Sequence, residues 1–157
     1  MKIPVFVLAV FCSVGSFGHG HSHHKSESNG LPSAQPSLVD QVKSSYKEKV
    51  EPIFRNKCFD CHSNQTVYPW YYDVPGVKSF IDSDIKEARE HLDMSDGYPF
   101  SGHGNPVDDL KEIKEVIVKD EMPPLSYVVM HWNANLDLDE RDKIVEWVSQ
   151  SLLTLQK

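Results

Sequence analysis

Cysteine is scarce in this sequence. There are three among 157 residues, and Cys12 lies inside the first apolar stretch. That leaves Cys58 and Cys61, which cannot build a disulfide framework, because a bridge between residues three apart is strained and closes almost no loop. Positive charge is short as well. Sixteen Lys and Arg stand against 23 Asp and Glu, a net charge of −7. Nucleic acid and anionic lipid are therefore poor partners. Alternating apolar and polar residues are missing except for the short run Tyr127–Met130, so no sheet is expected. No internal repeat is visible, and nothing resembles a pocket with paired acid and base. An electron carrier is favoured over a catalyst on that ground.

The N-terminus supplies what the rest lacks. Residues 3–17 (IPVFVLAVFCSVGSF) are apolar or small and follow Lys2. The run is short for a bilayer span and reads as a secretory signal, residues 1–18, cut after Gly18 with Gly15 as the second option. The mature chain is then periplasmic or otherwise exported. Membrane association would require this segment to be retained, or Cys12 to be acylated, and Phe11 before it disfavours acylation. Residues 19–37 (HGHSHHKSESNGLPSAQPS) have almost no apolar content and read as a disordered tail. His19, His21, His23 and His24 make it a candidate for weak Cu, Ni or Zn binding. If the mature chain starts at His19, its amine, two amides and the His21 imidazole form a square-planar Cu(II) or Ni(II) site.

The remaining segment, 38–157, is one domain. Ser37 is a plausible helix cap, and Leu38, Val42, Tyr46 and Val50 recur every four residues. Pro52 breaks or restarts this pattern, and Ile53 and Phe54 continue it to Cys58. Residues 63–76 are irregular and aromatic. A second apolar face follows with Phe80, Ile81, Ile85, Ala88 and Leu92, then a turn-rich loop over 95–106. Leu110, Ile113, Val116 and Ile117 mark a third helix, which stops before Pro123 and Pro124. Asp137 or Asp139 caps a last helix carrying Ile144, Trp147, Val148, Leu152 and Leu155. The expected fold is all-α: about four helices with long loops.

The chemistry sits at Cys58-Phe59-Asp60-Cys61-His62. This is the pattern of covalent c-type haem attachment. Two thiols in one helical turn reach the two vinyl groups of a single porphyrin, and the adjacent imidazole lies under the iron. A thioredoxin-like pair would need a βαβ pattern, and structural zinc would need a second ligand pair; neither is evident. Asp60 is expected to be solvated. For a second axial ligand Met122 is favoured, because Pro123 and Pro124 force extended backbone after it. A thioether there would favour reduced iron. His91, His103, His131, Met94 and Met130 stay open as rivals. His91 and His103 read as surface residues, Met94 and Met130 as core. Trp70, Tyr71, Tyr72 and Trp147 read as packing residues, some of them against the porphyrin.

These motifs together resemble the haem-binding domain family of c-type cytochrome-like proteins. The resemblance runs from about Tyr46 to Gln150. It rests on Val50–His62 (VEPIFRNKCFDCH), Pro69-Trp70-Tyr71, Met122-Pro123-Pro124 with Tyr127 and His131 following, and Trp147. It implies a cytochrome c-like helical fold and one covalent haem c. The resemblance implies Cys58, Cys61 and His62 as the attachment and proximal residues, and it favours Met122 as the distal ligand. It also implies that Trp70, Tyr127 and His131 line or brace the pocket. One-electron transfer to a redox partner protein is the expected role. A peroxidase-like or ligand-sensing haem with a labile sixth position is the alternative, with His91 or His131 as the distal acid or base.

Overall fold

The computed structural model describes residues 36–157. The signal segment 1–18 and the histidines at 19–24 lie outside the described residues. Helix α1, Leu38–Lys49, starts where its cap predicts. The Ser37 hydroxyl accepts from the Asp40 N–H at 3.1 Å while the Asp40 carboxylate accepts from the Ser37 N–H at 3.3 Å. Two of the orphan donors of the first turn are thereby satisfied. Pro52 restarts the chain as helix α2, Glu51–Lys57, sitting in the first turn where its missing N–H costs nothing. A one-turn helix α3, Phe59–His62, follows directly.

Helix α4 spans Val77–His91, α5 Pro106–Val118, α6 Leu125–Met130 and α7 Leu138–Leu155. The all-α expectation is met. The four long helices α1, α4, α5 and α7 are the four apolar stripes of the sequence. Three short ones raise the number to seven among the described residues, because Val50–Pro52, Cys58 and Pro124 each interrupt the chain and then start a new turn. Tyr127–Met130, the strand-like run, is helical: Pro124 caps α6, and the Tyr127 and Val128 N–H groups both reach its carbonyl. Leu92, expected on the apolar face of α4, instead starts a hairpin around the 95–106 loop, a feature without a sequence signal. Strands β1, Leu92–Asp93, and β2, Ser101–Gly102, pair antiparallel with Leu92 opposite Gly102.

The core lies where α1 and α5 pack on α7. Val42, Tyr46, Val50, Phe54, Leu110, Ile144, Trp147 and Val148 are all at most 2% exposed. Trp147 is central. Its ring lies 5.6 Å from Tyr46, 6.0 Å from Phe54 and 6.0 Å from Tyr98, and its Nε1–H donates to Ser45 Oγ at 3.1 Å. Met94 belongs to this core, as expected, whereas Met130 is 56% exposed.

Helix α4 differs from the other long helices: none of its residues is fully buried. Ile81, Ile85 and Ala88 are half-buried and Phe80 is exposed. It packs against α3 instead of entering the core, which leaves its apolar stripe beside the Cys58–His62 turn.

One buried carboxyl opposes the fold at neutral pH. Asp109 is 3% exposed, and burial, reinforced by Glu112 and Asp108, raises its pKa. A raised carboxyl pKa means that the folded chain holds the proton more tightly, so stability is lost as pH climbs from the unfolded value through the folded one. Asp109→Asn is therefore expected to gain stability at pH 7. Urea titrations at pH 7 and near pH 3.5 check this, and the gain should vanish at the lower pH.

Candidate functional site

The site begins at the end of α2. Lys57 Nζ donates to the Asn133 and Asn135 carbonyls at 2.6 and 2.9 Å and lies 3.4 Å from Glu140. This clasps the helix end to the turn before α7. The next residue, Cys58, caps α3, and its carbonyl accepts from the Cys61 and His62 N–H groups at 3.2 and 2.9 Å. Both thiols and the imidazole thus spring from one helical turn.

The thiols are not bonded to each other. Burial pushes Cys58 up to about 12, with Cys61 and Glu140 adding to it, and pushes Cys61 up to about 11, with Asp60 and Asp84 adding. Both are neutral thiols at physiological pH. Redox and metal-binding cysteines show the opposite shift.

His62 is held in one orientation. Its Nδ1 lies 2.9 Å from the Leu92 carbonyl. A carbonyl only accepts, so Nδ1 carries the proton and Nε2 keeps its lone pair. Burial lowers the pKa of the ring, and the Leu92 and Ala88 carbonyls offset part of this. The neutral form, the one that binds iron, is favoured.

The Leu92 carbonyl is itself positioned. Leu92 belongs to β1, and Met94 N–H donates back to the His62 carbonyl at 2.7 Å. Opposite Leu92, Gly102 has φ +129, and a Cβ there would fall 2.5 Å from the His91 carbonyl oxygen. Only glycine allows the two strands to approach this closely.

Asp60 is not simply solvated. It is half-buried, its Oδ1 accepts from the Val67 N–H at 2.9 Å and its Oδ2 from the Tyr127 hydroxyl at 2.7 Å. Its backbone carbonyl accepts from Thr66 Oγ1 at 2.9 Å. Burial and the Asp60 carboxylate hold the Tyr127 hydroxyl far above the ordinary phenol range. The Tyr127 ring stacks on His131 with centroids 4.1 Å apart, and Tyr71 donates to His131 Nε2 at 3.3 Å. His131 Nδ1–H points at the Tyr127 carbonyl, 3.1 Å away, which fixes that tautomer. Asp60, Tyr127, His131 and Tyr71 thus form one network next to Cys61. Tyr127 and His131 were named by the sequence; Asp60 and Tyr71 as hydrogen-bonding members were not, since a lone Asp between two cysteines gives no signal of its own.

Other sequence candidates stand apart from the network. Trp70 is 90% exposed and touches it only edge-on through Tyr71, 5.5 Å between centroids, so it is not a core residue. Tyr72 is half-buried and donates to Asp82 at 2.6 Å. Met122 is 38% exposed in the turn between α5 and α6. Among the described residues, no group of three or more His, Cys, Asp or Glu is placed to hold a metal ion.

The donor set fits haem: two neutral, unpaired thiols and a carbonyl-anchored neutral imidazole on one turn, next to an apolar helix face. A sequence model described as a haem-binding domain matches residues 20–150. The chain belongs to that family. Within the haem-binding domain family the match takes in α1 to α6, most of α7 and the whole site. A curated relative, cytochrome c peroxidase Ccp of Escherichia coli (strain K12), is 29% identical over 142 residues. The alignment covers 88% of this chain and 29% of the relative, so the haem-binding domain protein spans under a third of that relative's length. No solved structure matches.

Proposed function

We propose that this haem-binding domain carries a single c-type haem, bonded through Cys58 and Cys61 with His62 as the proximal ligand, and passes one electron at a time to a redox partner outside the cytoplasm. The observation that carries the reading is the orientation of His62: its Nδ1–H is spent on Leu92 at 2.9 Å, so its Nε2 is the ring atom left to bind. A bound haem supplies the one-electron couple. The chain's own residues do the rest. Burial keeps the imidazole neutral, the hairpin fixes its plane, and the Asp60 carboxylate ties the attachment turn to Val67 and Tyr127. Secretion is supported by the apolar N-terminal run in the sequence. No helix among the described residues is long and apolar enough to cross a membrane.

A pyridine haemochrome spectrum with intact mass, on protein matured in the presence of a cytochrome c assembly system, tests the cofactor, its stoichiometry and the processing site. One haem mass per chain is expected; a colourless product overturns the reading.

Met122 is proposed as the sixth ligand. Thioether-to-iron ligation gives oxidised haem a weak long-wavelength charge-transfer band. Met122→Ala is expected to abolish that band and to lower the reduction potential, since a soft thioether favours reduced iron. A surviving band removes Met122 from the site.

The name of the relative supports a second reading, a haem whose sixth position is labile and reacts with peroxide. Ready binding of cyanide or CO by the untreated protein would favour it. The same name suggests the kind of partner an electron carrier of this family would serve: a peroxidase.

A further inference from the structure

We propose that His91 and His103 together chelate a divalent transition-metal ion of the zinc class on the hairpin that orients His62. The redox consequence drawn below rests on the haem reading; the metal site itself does not.

The two residues are twelve positions apart in sequence and adjacent in space. His91 ends α4 and His103 follows β2. The Leu92–Gly102 register and the His103 N–H, 3.4 Å from the His91 carbonyl, bring them together. Their ring centroids are 5.6 Å apart with planes at 63°. Zinc binds imidazole nitrogen at about 2.0–2.1 Å, which puts two ring centres on one ion roughly 5–6 Å apart. The pair therefore has chelating separation without rearrangement of the backbone. Both side chains are exposed, so the ion and its completing waters have free access.

The electrostatic setting favours a cation. The carbonyl end of α4 terminates at His91, where the helix dipole is negative. Arg89, the nearest fixed positive charge on that helix end, is engaged by Asp93 at 2.8 Å. The glycine at 102 is required by the same close approach that sets the pair. A larger residue there would collide with the His91 carbonyl and spread the two histidines.

The position gives such an ion leverage on the haem site. Leu92, between His91 and the strand pairing, carries the carbonyl that holds His62 Nδ1. An ion clipped across His91 and His103 stiffens that hairpin. An ion on His91 also places positive charge one residue from the carbonyl that holds His62 Nδ1 at 2.9 Å. A divalent ion should therefore disfavour oxidised iron and raise the reduction potential. By linkage, zinc should bind the reduced protein more tightly than the oxidised one.

The test uses the full chain, loaded with haem, in which His19, His21, His23 and His24 are replaced by serine and any free thiol is alkylated. Calorimetry with zinc chloride is expected to show one equivalent bound. His91→Ala and His103→Ala should each weaken it at least tenfold, with unchanged circular dichroism because both side chains are exposed. Zinc should raise the midpoint potential of the parent and leave that of either variant unmoved. Unaltered binding in both variants overturns the site. Binding lost in the variants with a parent potential that zinc does not move overturns the coupling. A chain that arrives without pigment is recognised by its spectrum, and its zinc isotherm still decides for or against the histidine pair.

Discussion

A chain with Cys58 and Cys61 both changed to alanine is expected to keep no pigment on the polypeptide after acid–acetone extraction, whereas the parent keeps all of it. The reason is the bond type. On the proposed reading His62 would coordinate through a lone pair that acid protonates, so a haem held by that ligand alone would leave as soon as the imidazole is charged. Thioether bonds do not respond to acid. Single changes at Cys58 or Cys61 should leave one bond and a protein-bound pigment with an altered haemochrome band. The fold should tolerate these changes, since alanine keeps the α3 turn and neither thiol makes a disulfide. Extraction followed by intact mass reads the outcome directly. Pigment that stays with the double variant would refute covalent attachment through these two sulfurs.

Trp147→Ala is expected to cost about 3–5 kcal/mol, a large share of the roughly 5–15 kcal/mol that holds a domain together. The indole is 1% exposed and sits among Tyr46, Phe54 and Tyr98, so its removal leaves a cavity walled by rings that cannot collapse into it. It also removes the indole N–H that Ser45 Oγ accepts, leaving that hydroxyl its bond to the Val42 carbonyl. Trp147→Phe restores part of the ring volume and loses the hydrogen bond, so it is expected to cost clearly less than the alanine change but more than the roughly 1 kcal/mol of the bond alone. Guanidinium unfolding followed by circular dichroism measures both. A loss under 1 kcal/mol for the alanine variant would mean that this cluster is not the keystone of the α1–α7 packing.

The two variants probe the parts that sequence reveals best. The Cys58–His62 turn stands out in the sequence because the chemistry it resembles needs fixed residue types at fixed spacing. The α1, α5 and α7 stripes are legible because each buries one face and solvates the other. Ser37 and Asp137 are legible as caps because a side-chain oxygen at that position satisfies the first turn, and both do so as capping boxes. What could not be read has a common cause. Leu92 meets His62 through a backbone carbonyl, which every residue possesses, so no residue type at position 92 announces the contact. The β1–β2 pairing is two residues long, too short for a period of two to show. Asp60 looked like a surface acid because its partners, Val67 and Tyr127, arrive from other segments. The Tyr127–Met130 run was misleading for the opposite reason: β-prone side chains were overruled by the proline cap before them. His91 and His103 looked unrelated until the hairpin register joined them.

The Trp147–Ser45 hydrogen bond links residues 102 positions apart. Helix α1 cannot gain this contact until α7 has been made, so the core closes only when the last helix is complete. Cys58 packs against that core, whereas α3, with Cys61 and His62, packs on α2 and α4, which precede α7 in the chain. The Cys58–His62 turn and its α4 wall can therefore assemble ahead of the core that α7 completes.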